Sequence, residues 1–250
     1  MLKWFLVLSL FLPVFAYAQE SVIIYNRTQD KVVLSQNTEA LRPIASVTKL
    51  MTAMVVLDNT HNLADKVKLQ HKVKSSLPTK EYTRAELLDA MLVRSDNGAA
   101  ETLATSYPGG REAFIDAMNK KAKSIGMYNT SFDDASGLSR NNISTAEDVN
   151  RMIIEAFNYN VIRDVSTKKQ VSVSSTKNKT ISFSNTNTPI LTLFDNIELS
   201  KTGYTTPAGF CLVMVVNKGA ELFSVVILGS NNKQARFNLA KNLLTNHLNN

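Results

Sequence analysis

The chain has 250 residues, 44% of them hydrophobic and 20% charged, with a single cysteine. That is an ordinary globular composition, and it excludes collagen-like, disordered and disulfide-framework chains. Lysine and arginine number 28 against 21 acidic residues, a formal charge of +7. An anionic partner is expected, of a kind that charge alone does not fix.

Lys3 precedes an apolar run over residues 4–14, and Ala16-Tyr17-Ala18 follows as a small-x-small cleavage site. Residues 1–18 read as a secretory signal peptide, because the run is too short for a membrane span of about twenty residues. Residues 19–250 then form one exported domain. Its one cysteine, Cys211, allows no internal disulfide. Cys211 lies in an apolar run over 210–216 and reads as a buried strand residue rather than a nucleophile.

In chain order, residues 22–25 and 31–34 read as strands joined by a turn at 26–30. After Arg42-Pro43, residues 45–57 are apolar almost all round and predict a buried helix. Thr83 and Glu86 make a capping-box pattern ahead of a helix over 87–93. A second helix follows Asn97 through Ala104. Residues 111–125 are amphipathic and stopped by Gly126. Ser144 and Glu147 predict another capping box, opening a helix to Phe157. Between 160 and 187, alternation at 171–173 and 181–183 predicts exposed strands or a long hairpin. Residues 197–199, 210–216 and 222–228 read as strands, with Asn217-Lys218-Gly219 as a hairpin turn. Residues 236–248 read as a closing helix. Strands at both ends with helices between them predict an α+β domain with a mostly antiparallel sheet.

Three motifs carry chemistry. Ser46-Val47-Thr48-Lys49 puts a hydroxyl and an amine on one helical face. An apolar helix desolvates Lys49 and lowers its pKa toward the neutral amine that a general base requires. S-x-x-K occurs four times, at Ser46, Ser166, Ser174 and Ser230, but only Ser46 opens a buried helix. Ser95-Asp96-Asn97 lies between two predicted helices. There a hydroxyl can relay a proton, and an amide can both donate to and accept from a peptide. The bland alternative is an ordinary helix cap. Lys201-Thr202-Gly203 occurs once and follows a strand. Its backbone edge can pair with an extended substrate, Lys201 and Thr202 can hold a carboxylate, and Gly203 allows close approach. Each motif alone is weak; their order and contexts make the conjunction strong. His61, His71 and His247 form no zinc-binding or triad pattern and are expected to face solvent. No cofactor, metal or nucleic-acid motif is present, and Asp133 and Asp134 read as a solvated turn.

On these motifs the chain resembles the low-molecular-mass penicillin-binding proteins, the serine D-alanyl-D-alanine peptidases, and within them the penicillin-binding protein 7/8 type of endopeptidase. The likeness extends through Arg42-Pro43-Ile44-Ala45, Tyr107-Pro108-Gly109-Gly110, Ser136-Gly137-Leu138, Asn185-Thr186-Asn187 and Ala208-Gly209-Phe210. It implies a five-stranded sheet flanked by helices with an inserted helical lobe. It implies Ser46 as acyl-enzyme nucleophile, Lys49 as proton acceptor, Ser95 as relay, and Asn97, Lys201, Thr202 and Gly203 as substrate-binding residues. The N–H groups of Ser46 and Tyr204 would form the oxyanion hole. The implied partners are peptidoglycan stem peptides and β-lactams, in the periplasm, with at most peripheral membrane contact. Only 47 residues follow Gly203, enough for two strands and a helix. That shortness favours the endopeptidase over longer carboxypeptidases. A class A β-lactamase is disfavoured, because no Glu-x-x-Leu-Asn loop is present.

Overall fold

The strands and helices below come from a computed structural model that describes residues 20–60, 62–70, 73–174 and 180–248. The signal-peptide expectation, His61 and His71 lie outside the described residues. In chain order the elements are β1 (Ser21–Asn26), β2 (Lys31–Gln36), β3 (Arg42–Pro43), a 3-10 turn (Ala45–Thr48), α1 (Lys49–Asn59), β4 (Lys66–Lys68), β5 (Glu81–Thr83) and α2 (Arg84–Val93). There follow α3 (Asn97–Thr105), α4 (Gly110–Ser124), β6 (Ile143–Ser144), α5 (Ala146–Ala156), α6 (Asn160–Ser166), β7 (Gln170–Ser174) and β8 (Thr180–Ser184). The chain closes with α7 (Thr188–Leu193), β9 (Ile197–Thr205), β10 (Gly209–Lys218), β11 (Glu221–Ser230), α8 (Lys233–Leu243) and a π turn (Leu244–Leu248).

The main sheet has five strands in the order β2-β1-β11-β10-β9, and every neighbouring pair is antiparallel. This is the expected α+β architecture. Strand periodicity divides the sheet's side chains between two cores. Ile23, Val213, Val215, Val226 and Leu228 pack toward α1 and α5, with the helical lobe beyond. Val22, Ile24, Leu212, Met214, Val225 and Ile227 pack on the other face, against Phe237, Ala240 and Leu243 of α8 and Ile190 and Leu191 of α7. β9 therefore stands at the sheet's edge, with one side on β10 and the other open to the helical lobe.

The Thr83–Glu86 capping box forms as expected, with both reciprocal hydrogen bonds. The second expected box is displaced by one residue. Ser144 is in extended backbone paired with Arg42, so Thr145 takes the cap and accepts from Asp148 N. Glu147 instead accepts from Thr38 Oγ1. The β10–β11 turn is also one position later than expected. Lys218 still pairs with Glu221, which leaves Gly219 (φ +62°) and Ala220 as the loop. The short helices α6 and α7 were not anticipated. α6 lacks a side-chain cap, and α7 spans only six residues. His247 is exposed.

Candidate active site

Ser46 lies in the 3-10 turn ahead of α1, not inside the α-helix. Ala45 immediately before it has φ +47°. A non-glycine residue held there costs about 1–3 kcal/mol, so its surroundings must enforce it. Two glycines show how closely they do so. A Cβ added to Gly137 would fall 1.9 Å from the Ala45 carbonyl oxygen, and one added to Gly203 would fall 3.0 Å from Ser46 N. The loop at Gly137 and the strand β9 thus clamp the Ser46 turn from two sides.

Lys49 begins α1 and is 0% exposed. Its Nζ lies 2.9 Å from Ser46 Oγ, 2.7 Å from Asn97 Oδ1 and 2.5 Å from the Ser136 carbonyl oxygen. Burial lowers its pKa to about 7, against the opposing pull of Asp134, Asp96 and Glu101. A neutral amine has two N–H donors and one lone pair. With Asn97 Oδ1 and Ser136 O taking the donors, the lone pair faces the Ser46 hydroxyl.

The Ser136 carbonyl is itself fixed. Asp134 is 7% exposed, and its carboxylate accepts the backbone N–H groups of Ser136, Gly137 and Ser139 and the amide of Asn142. This corrects the solvated-turn expectation for Asp134, although Asp133 is exposed. Asn142 also donates to Thr48 Oγ1, which ties this loop to the 3-10 turn that carries Ser46.

Ser95 sits in the break between α2 and α3 with φ +63°. The helix cap at this point is Asp96. Its carboxylate accepts from Ala99 N, Ser75 Oγ and Ser76 N and Oγ. With Asp96 occupied in holding the loop, Ser95 and Asn97 present their side chains to the cleft. Asp96 is thus the helix cap, and Ser95 and Asn97 of the same motif line the cleft.

Lys201 is only 1% exposed, and its Nζ donates to Ser95 Oγ at 2.9 Å and to the Thr202 carbonyl at 2.8 Å. Burial, then the charges of Lys49 and Arg236, push its pKa well down. Lys201 therefore touches the Ser95 hydroxyl from behind, while Thr202 and Gly203 line the open space. Thr202 Oγ1 donates to Thr186 Oγ1. Ser46, Ser95, Asn97, Thr202, Gly203 and Tyr204 line one cleft of about 520 Å³. The three motifs meet there from a turn, an interhelical loop and a strand edge.

Sequence reasoning missed Arg236 of α8, which also lines the cleft. It is 4% exposed, its Nη1 donates to the carbonyls of Cys211 and Gly203, and its Nε has no partner among the described residues. Phe237 and Phe210 flank it, and burial lowers its pKa to about 10. Its position was detectable: it stands on the apolar face formed by Phe237, Ala240 and Leu243, where an arginine needs a reason. Cys211 is buried and its thiol is pushed up to about 11 by burial, which leaves it unreactive.

Comparisons with known proteins point to one family. A family profile described as D-alanyl-D-alanine carboxypeptidase matches residues 13–232. The D-alanyl-D-alanine endopeptidase of Escherichia coli (strain K12) is 38% identical over 237 residues, covering 91% of this chain and 76% of the relative. That of Pseudomonas aeruginosa is 37% identical over 229 residues, covering 88% and 74%. Among solved structures, the Streptomyces K15 DD-transpeptidase superposes with TM-score 0.83 at 25% identity, covering 90% of this chain and 95% of the other. Penicillin-binding protein D2 of Listeria monocytogenes, in its ampicillin-bound form, gives TM-score 0.80 at 26% identity with the same coverage. With its fold, motifs and relatives in agreement, the chain belongs to the D-alanyl-D-alanine carboxypeptidase family of serine hydrolases.

Proposed function

We propose that this chain is an exported D-alanyl-D-alanine endopeptidase that hydrolyses cross-links between peptidoglycan stem peptides in the periplasm. The observation that carries this reading is the buried Lys49 amine, 2.9 Å from Ser46 Oγ and with its pKa lowered to about 7. That is the pKa of a base able to work near neutral pH. Ser46 Oγ gives its proton to Lys49 Nζ and attacks the D-alanyl carbonyl. The developing oxyanion is held by the N–H groups of Ser46 and Tyr204. Losing one such donor costs about 3–4 kcal/mol in the barrier. The C–N bond breaks as the departing amine takes a proton through Ser95, whose hydroxyl Lys201 holds in place. Water then attacks the Ser46 ester and releases the acyl group.

Thr202 and Arg236 hold the carboxylate beside the departing nitrogen, and Asn97 contacts the substrate amide. A terminal D-alanine and a cross-linked diaminopimelate centre both carry that carboxylate, so one site accepts both. Thr188, Pro189 and Lys233 line the same cleft as Thr202, and its volume of about 520 Å³ suits the longer leaving group. A β-lactam carries a similar carboxylate and acylates Ser46. Contact with a membrane is at most peripheral; among the described residues, no helix is long and apolar enough to cross one.

The test is incubation with purified cross-linked muropeptide dimers and pentapeptide monomers. Release of monomers from dimers is the expected outcome. Loss of only the terminal D-alanine from pentapeptides would move the assignment to a carboxypeptidase.

A further inference from the structure

Lys233 opens α8 one helical turn before Arg236, so the two side chains share a helix face. Both line the cleft that contains Ser46. Lys233 is exposed, and among the described residues its side chain has no ion pair and no hydrogen bond. The charged residues lining the cleft are Arg94, Lys233 and Arg236, with no aspartate or glutamate. Such a surface fits more than one anionic group. The Ser230-x-x-Lys233 motif is no second nucleophile pair: Ser230 is fully buried at the end of β11, while Lys233 faces the cleft.

Thr202 and Arg236 account for one carboxylate, that adjoining the departing nitrogen. We propose that Lys233 is a specificity-determining residue that binds a second carboxylate, the free C-terminus of the stem peptide that leaves. This rests on the endopeptidase reading. A departing D-alanine carries a single carboxylate, already held, and gives Lys233 nothing to bind. A departing stem peptide carries a further one, so Lys233 favours the cross-link over the pentapeptide. The site binds that group without reacting with it, and the contact acts through KM rather than kcat.

The experiment compares the full chain with its Lys233→Ala and Lys233→Glu variants on three substrates. These are a cross-linked dimer, the same dimer amidated only at the acceptor's C-terminal carboxylate, and a pentapeptide. An exposed ion pair predicts that Lys233→Ala raises the ratio of dimer KM to pentapeptide KM about three- to fivefold. Lys233→Glu, which reverses the charge, raises it about tenfold, with kcat changed less than twofold. For the amidated dimer neither variant changes the ratio. An unchanged ratio with the free dimer, or an equal rise with the amidated one, overturns the role of Lys233 and leaves the endopeptidase reading standing. Failure of the unsubstituted chain to release monomers from any dimer overturns both.

Discussion

Gly137→Ala is the substitution that most sharply separates the architecture of the Ser46 turn from general stability. Gly137 has φ +80°, and its added Cβ would lie 1.9 Å from the Ala45 carbonyl oxygen and 2.8 Å from Ser46 N. Real Cβ atoms essentially never approach closer than 3.0 Å, so the two backbones must separate by about 1.1 Å. The group that moves is the turn that presents Ser46 to Lys49. A misplacement of about 1 Å costs on the order of 100-fold in rate. The left-handed conformation itself costs alanine about 1–2 kcal/mol, worth about 2–8 °C in Tm for a domain of this size. Gly126→Ala is the matched control. Its φ is +81°, but the nearest atom to its added Cβ is Arg151 Cδ at 3.6 Å, at the end of α4. The strain is the same and the clash is absent. Stopped-flow acylation by a fluorescent penicillin, with Tm measured alongside, should show both variants less stable and only Gly137→Ala slowed by about 100-fold. Acylation by Gly137→Ala within threefold of the unsubstituted chain would refute the clamp, as would an equal loss in Gly126→Ala.

The Lys49 pKa of about 7 gives acylation a pH dependence with a definite sign. Below that value the amine is charged and cannot accept the Ser46 proton, so the rate should fall about tenfold per unit as pH drops and level off above it. A flat profile from pH 5 to 8 would contradict Lys49 as the base. Lys49→Arg, always protonated, should lose about 10²–10⁴ in acylation rate across the range, read by the same penicillin assay. Ser95→Ala should slow release of the leaving amine from peptide by a similar factor, followed by chromatography of the products. Thr83→Ala removes a cap hydroxyl far from the motifs and should cost about 1 kcal/mol, seen as a fall of about 2–4 °C in Tm with acylation unchanged.

The motifs were legible because each carries its context in the sequence. An apolar helix around Lys49 announces desolvation, and a single Lys-Thr-Gly after a strand announces an edge. The sheet was legible for a similar reason, since short continuous apolar runs at both chain ends suit strands covered on both faces. What the sequence did not show depends on contacts far apart in the chain. The buried Asp134 looks solvated until the loop folds back and four donors converge on it. Lys201 reads as a carboxylate ligand, and tertiary packing adds what no local pattern reports, a hydrogen bond from its Nζ to Ser95 Oγ, 106 residues away. The cap at Thr145 rather than Ser144 was set by a two-residue bridge to Arg42 that no local pattern reports. Arg236 was the omission with a signal, an arginine on the apolar side of a terminal helix.

The proposed mechanism turns on a covalent acyl-enzyme formed at Ser46 with Lys49 as its base. Intact-mass spectrometry after brief exposure to benzylpenicillin, followed by peptide mapping, tests it most directly. One penicilloyl adduct per chain is expected, located on the peptide containing Ser46 and absent from a folded Ser46→Ala variant. An adduct on another residue, or undiminished labelling of Ser46→Ala, would contradict it.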